Sequence, residues 1–307
     1  MTGGFAVFLL VAVLLGLGGL KLAIDRNPAG TLDTADRLLG GTAGTRVAAT
    51  GLAYGPLPRQ RLEVIVPDAL LPHPRPVLVF IHGGSWESGD GADYHFIGRT
   101  FARHGYVVVL PSYRLASEGV YPRMLEDGAQ ALAWVRGHIA GYGGDPGRVV
   151  LAGHSAGAYN AAMLALERQW LRRAGVEDGF VKGVVGLAGP YDFHPFTSDS
   201  ARRAFGHVTP PEQTQPIRFV RGDAPPMLLI TGTGDTTVKP RNTTALAAAL
   251  RQAGAPVEEL YLPGVDHSQI VMKLAVPFSR DDRVLKAKLA FLARMAPPSA
   301  PVQAQVR

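Results

Sequence analysis

The sequence predicts an α/β domain, a mainly parallel central sheet with helices packed on both faces. Three observations predict it. Apolar, often β-branched runs at 77–81, 106–110 and 149–152 lack polar alternation, as strands buried on both faces require. Segments with apolar residues at helical spacing lie between them. The chain has 307 residues, 47% hydrophobic and 18% charged, enough to bury one large core.

Taken in order, residues 61–66 alternate as a strand does, and the proline-rich stretch 67–76 is a loop into the strand at 77–81. A helix is expected over 96–104, ended by Gly105, then a strand over 106–110, stopped by Pro111. Met124, Leu125, Ala129, Leu132 and Val135 mark one face of a helix over 121–139. A strand over 148–152 leads into a helix over 156–174. Strands at 180–187, 227–231 and 257–262 and helices at 243–253 and 281–295 complete the alternation, which implies parallel connections. Residues 192–224 break the rhythm and are expected to form a small cap-like insertion. The domain so defined covers 61–296, and 297–307 is expected to be a disordered tail.

The N-terminus is of another kind. Residues 3–20 carry no charge and are almost wholly apolar, about the length that spans a bilayer. Two readings fit, an uncleaved transmembrane anchor over 1–24 and a signal peptide. The absence of Lys or Arg before the run and the poor cleavage site at its end favour the anchor. Lys21, Arg26 and Arg37 follow the run, which tilts the domain toward the cytoplasmic side. Residues 25–60 read as a connector with a short helix near 33–39. Net charge is +6, from 31 Lys and Arg against 25 Asp and Glu. No basic run or aromatic-basic interleaving accompanies it, so a nucleic-acid partner is not expected. There is no cysteine, which excludes disulfides, thiolate metal sites and a cysteine nucleophile.

The chemistry gathers at strand ends. Gly153-His154-Ser155-Ala156-Gly157 sits between a strand and a helix, the form of a nucleophile elbow. Small flanking residues permit the sharp turn, and the helix N-terminus favours negative charge developing beside Ser155. Elbows of this kind are followed in chain order by an acid and then a histidine. Asp235 ends the buried strand at 227–231 in a Gly-rich turn and suits the acid. His267 follows the strand at 257–262 and suits the base. Asp192 and Asp266 are rivals for the acid, and Asp266, adjacent to His267 in sequence, points elsewhere. The oxyanion hole is assigned to the amides of Gly83 and Gly84, in His82-Gly83-Gly84-Ser85-Trp86 after a buried strand, together with that of Ala156.

These motifs, with Tyr113-Arg114-Leu115 and Asp145-Pro146 before Arg148, resemble α/β-hydrolase esterases and lipases of the carboxylesterase and hormone-sensitive-lipase kind. The His-Gly-Gly-x-Trp form is also similar to the arylformamidase and feruloyl-esterase-like branches. Ser112 stands where such proteins usually have Asp. The resemblance covers roughly residues 60–295. It implies a serine hydrolase acting on small-molecule carboxylic esters, with no metal or organic cofactor. Cleavage of an amide, as in an arylformamidase, is the nearer alternative, and a non-catalytic binding scaffold the more distant one. Trp86, Tyr94, Phe193 and Phe196 are candidates for a substrate pocket. His82 is expected to brace the oxyanion loop, His154 to point away from Ser155, and Asp127 with Arg114 to form a structural pair.

Overall fold

The computed structural model describes residues 19–69 and 73–297. Eight strands form one sheet: β1 (Thr45–Ala53), β2 (Arg61–Pro67), β3 (Arg75–Ile81), β4 (Val107–Pro111), β5 (Gly144–His154), β6 (Val181–Leu187), β7 (Met227–Gly232) and β8 (Val257–Leu262). Their spatial order is β1-β2-β4-β3-β5-β6-β7-β8. The pairs β1–β2 and β2–β4 are antiparallel and every other pair is parallel.

The unbroken apolar runs have a direct cause. In β3, Val77, Val79 and Ile81 enter one core while Leu78 and Phe80 enter another on the opposite face. Strand β5 does the same, with Val149 and Leu151 on one side and Val150 and Ala152 on the other. A strand that feeds two cores cannot alternate polar with apolar. With α1 (Pro28–Gly40) first in chain order, α2 (His95–Arg103) closes one face. The opposite face is closed by α3 (Arg123–His138) and α4 (Ala156–Leu166), joined there by the short α5 (Gln169–Arg173) and α6 (Asp199–Phe205) and by α7 (Arg241–Gln252). After the single turn α8 (Gln269–Met272), α9 (Arg283–Met295) returns to the α2 face. The helix expected over 156–174 is thus two helices, which part at Glu167 in an extended conformation.

The expectation that residues 25–60 form a connector is corrected: α1 and β1 belong to the folded domain. The sequence hid them for two reasons. Strand β1 is an edge strand and mostly exposed, so it lacks a buried periodicity. Helix α1 docks by charge: Asp36 is fully buried, and its carboxylate accepts from Arg99 Nε at 2.9 Å and from the Val276 amide at 2.8 Å. Arg99 also donates to Asp33 at 2.7 Å. Breaking a buried pair leaves an uncompensated charge, so Arg99→Met is predicted to lower the unfolding free energy in urea by about 3–5 kcal/mol. The predicted anchor lies, but for residues 19–24, outside the described residues, as does the predicted tail beyond Pro297. Residues 19–26 are helical, with Leu20, Leu22 and Ile24 exposed. No helix among the described residues is long and apolar enough to cross a membrane.

Helix α9 carries an unusual core residue. Lys288 is fully buried, its Nζ finds no hydrogen-bond partner among the described residues, and it lies 4.3 Å from the Phe101 ring centroid. Burial lowers its pKa from 10.5 to about 7. The unfolded chain would hold this proton up to about pH 10.5, while the folded protein releases it near 7. Between those values the unfolded state binds more protons, so stability rises with pH, by up to about 1.4 kcal/mol per unit. Urea unfolding from pH 7 to 10 is predicted to show this rise in the natural protein, and a flatter dependence in Lys288→Met.

Candidate active site

The elbow is built from close contacts that only small residues allow. Ser155 sits at φ 54°, ψ −122°, between the end of β5 and the start of α4. This is a conformation non-glycine residues rarely adopt and one that costs of order 1–3 kcal/mol. A Cβ on Gly153 would lie 2.2 Å from the Gly157 carbonyl oxygen, and one on Gly157 would lie 2.0 Å from the Ile81 carbonyl oxygen. Both neighbours are backbone and cannot give way. The glycines of the pentapeptide are therefore fixed by the crossing of β5, α4 and β3.

The structure brings Ser155, His267 and Asp235 together from three strand ends. Ser155 Oγ lies 2.8 Å from His267 Nε2, and His267 Nδ1 lies 2.7 Å from Asp235 Oδ2. A carboxylate only accepts, so Nδ1 carries the proton and Nε2 is left to accept from the serine hydroxyl. Asp235 is 3% exposed. Its other oxygen accepts from the amides of Thr237 at 2.9 Å and Val238 at 2.8 Å, which fix the carboxylate plane. The rival acids are engaged elsewhere or placed elsewhere. Asp266 accepts from the Gln269 amide at the start of α8. Asp192 lies past β6, where its amide donates to Asn242 Oδ1.

Two further histidines act as braces. His154 turns away from Ser155, and its Nε2 donates to the His267 carbonyl at 2.9 Å. Burial, followed by the charge of a protonated His267, lowers its pKa to about 3, so it is a neutral donor at physiological pH. His82 is likewise held neutral, its pKa lowered by burial to about 4. Its Nδ1 donates to the Gly83 carbonyl at 2.7 Å, and its ring stacks on Tyr113 with centroids 4.4 Å apart. Arg114 and Asp127 form the expected pair, with Arg114 Nε 2.9 Å from Oδ2 and Asp127 fully buried.

The loop after β3 runs at positive φ through Gly84 (110°), Ser85 (56°) and Trp86 (61°). Among the described residues, no protein acceptor takes the amides of Gly84, Ser85 or Ala156. The lack of a side chain at Gly83 has a packing role as well. A Cβ there would lie 2.9 Å from the His154 carbonyl oxygen and 3.3 Å from Ser155 Cβ, so it lets the loop press against the elbow. Within this loop, Ser85 and Trp86 are the residues that line the cavity. Ser85 was missed by sequence reasoning, and its place between the second glycine and the tryptophan was the available signal.

A cavity of about 260 Å³ opens over Ser155 and Ala156. Of the four pocket candidates, Trp86 and Phe193 line it, their rings stacked with centroids 6.1 Å apart. Phe196 is set back from the cavity and packs on Phe193 and Phe205. Tyr94 is corrected to a core residue: it lies in the turn before α2 and packs on Phe80 and Phe96 on the other side of the sheet. Residues 192–224 contribute α6 and two single turns, Pro211–Thr214 and Pro216–Phe219. Phe205 at the end of α6 meets Trp86 edge-on at 4.7 Å and holds this flank over the cavity. A larger cleft of about 480 Å³ lies at the far end of α4, where Arg168, Asp178, Arg221 and Asp223 pair among themselves. No triad residue lines it, so the smaller cavity is the candidate site.

A strand–elbow–helix serine, a histidine and acid after later strands, and a mainly parallel sheet define an α/β-hydrolase of the serine esterase and lipase type. The chain belongs to the BD-FAE family, whose model matches residues 62–250. It is similar to the probable isoprenylcysteine alpha-carbonyl methylesterase ICMEL1 of Oryza sativa subsp. japonica, 29% identical over 253 residues, 75% of this chain and 59% of that protein. It is also similar to esterase LipQ of Mycobacterium tuberculosis, 30% identical over 240 residues, 71% of this chain and 56% of that protein. The chain spans little more than half the length of either. The solved structure of esterase B from Lactobacillus rhamnosis superposes with a TM-score of 0.70 at 20% identity, covering 91% of this chain and 95% of that one.

Proposed function

We propose that the chain is a serine hydrolase that cleaves small carboxylic esters through an acyl-enzyme intermediate. The observation that carries this reading is the relay from Asp235 through His267 to Ser155 at the floor of a cavity. Ser155 Oγ attacks the ester carbonyl while His267 Nε2 takes its proton. The C–O bond to the alcohol then breaks, and the imidazolium returns the proton to the leaving oxygen. Water, deprotonated by His267, releases the acid and restores Ser155. The developing oxyanion is held by amides of the Gly83–Ser85 turn and of Ala156. Those of Gly84, Ser85 and Ala156 have no acceptor among the described protein groups. The relatives in rice and Mycobacterium tuberculosis are named as esterases, which agrees with ester chemistry.

A cavity of about 260 Å³ favours short acyl groups, since sites for drug-sized ligands run from about 300 to 1,000 Å³. Hydrolysis of p-nitrophenyl acetate and butyrate is expected to exceed that of the octanoate in kcat/KM. Faster turnover of N-formylkynurenine than of any ester would move the reading to amide cleavage. Absence of turnover on all of these would overturn it.

The same proposal includes attachment to a membrane through residues 3–20, with the domain on the cytoplasmic side. The uncharged apolar run and the cations after it support this. Retention in the membrane pellet after alkaline carbonate washing is the expected result. Release of the protein, or a mature N-terminus beyond residue 20, would contradict it.

A further inference from the structure

Apart from the triad's own groups, the ionised side chains on the wall of the Ser155 cavity are of one sign. They are Lys239 and Arg241. Neither makes an ion pair or a side-chain hydrogen bond among the described residues, and no carboxylate joins them on the wall. Of the acids around this wall, Asp235 is committed to His267, Glu87 to Arg203 and Asp199 to Arg202, and Asp192, whose amide donates to Asn242 Oδ1, does not line the cavity. What sets these two apart from the other unpaired cations of the surface is that they face the nucleophile's cavity.

Their backbone is held in place. Lys239 lies in the loop that carries Asp235, whose carboxylate binds the amides of Thr237 and Val238, and Arg241 opens α7 directly after that loop. Asn242 Nδ2 donates to the Lys239 carbonyl at 3.2 Å, while Asn242 Oδ1 accepts from the amides of Tyr191 and Asp192. The loop is thereby tied to the triad acid at one end and to the segment after β6 at the other. Neutral hydroxyls from Ser198, Ser200, Thr236 and Thr237 complete this side of the cavity and can donate to an anion. Two like charges in one small cavity repel each other, and an anionic group seated between them relieves that repulsion while gaining charge-assisted hydrogen bonds.

We infer that Lys239 and Arg241 form an anion subsite, and that the preferred substrates are small esters bearing an ionised carboxylate near the scissile carbonyl. This rests on the ester-hydrolase reading and narrows its substrate class. The test compares matched pairs: monomethyl glutarate against methyl valerate, with the charge on the acyl side, and 3-acetoxybenzoate against phenyl acetate, with the charge on the alcohol side. In the natural protein the anionic member of one pair is expected to have the higher kcat/KM. That preference should fall about fivefold with Lys239→Gln and again with Arg241→Gln, the scale of an exposed ion pair. It should also shrink in about 0.5 M KCl, where the Debye length is only a few ångströms. The remote surface variant Lys286→Gln should leave it unchanged. A neutral member equal to or better than its anionic partner in both pairs, or a preference insensitive to both substitutions, overturns the subsite. If no ester turns over at all, the hydrolase reading fails separately. Calorimetric titration of Ser155→Ala with glutarate then decides the subsite: saturable binding lost in the doubly substituted protein supports it, and no binding overturns it.

Discussion

Ser155→Ala is expected to reduce kcat for p-nitrophenyl butyrate by roughly 10⁶-fold, the scale of losing a triad nucleophile. The substitution removes one oxygen and little else. Alanine is close to serine in size, and the strained φ of 54° is imposed by the crossing strands and helix, not by the hydroxyl. The fold should persist, with a melting temperature near that of the natural protein. The cavity and the amides around it also remain, so KM should change far less than kcat. Residual activity of a few per cent or more would mean that another nucleophile does the work.

Asp235→Asn is expected to cost roughly 10⁴-fold in kcat, for a reason specific to how this carboxylate is held. Oδ1 accepts from two backbone amides, Thr237 and Val238. An asparagine would keep those bonds by placing its carbonyl oxygen there. Its NH2 group would then face His267 Nδ1, where Oδ2 now accepts a proton at 2.7 Å. Two donors cannot share that contact, so Nδ1 would become the acceptor and the ring proton would move to Nε2. In that tautomer His267 has nothing with which to accept from Ser155. Because the two side chains are nearly equal in size and shape and the backbone hydrogen bonds of Oδ1 are kept, KM and the melting temperature should change far less than kcat. Comparing steady-state kinetics with the melting temperature separates this from unfolding. A loss below about tenfold would remove Asp235 from the role.

Much of the site is legible in the sequence because its parts are local. The elbow needs glycines on both sides of Ser155 for contacts within a few residues and one neighbouring strand. Asp235 and His267 are marked by the apolar strands that precede them. The buried strands are legible for a similar reason, since two cores demand unbroken apolar runs. What the sequence conceals depends on partners remote in the chain. Residues 25–60 read as a connector, yet Asp36 within them is buried against Arg99, 63 positions away. Strand β1 is an exposed edge, so its pattern carries no signal of burial. Tyr94 follows the oxyanion loop closely enough to suggest the pocket, but the loop turns it through the sheet plane into the opposite core. Lys239 and Arg241 look like ordinary surface cations until the cavity is seen to open beside them.

The two braces show how the second layer serves the first. His154 ties the carbonyl of His267 to the elbow itself. His82 ties the oxyanion loop to Tyr113. Both are held neutral by burial, so neither adds a charge that would shift the triad.

Covalent labelling with a fluorophosphonate, followed by peptide mapping, reads directly whether Ser155 is an activated nucleophile. One adduct per chain is expected, on the peptide containing Gly153 to Gly157, at Ser155, absent in Ser155→Ala and strongly slowed in His267→Ala. An adduct on another serine, such as Ser117 or Ser268, or labelling that survives Ser155→Ala, would contradict it.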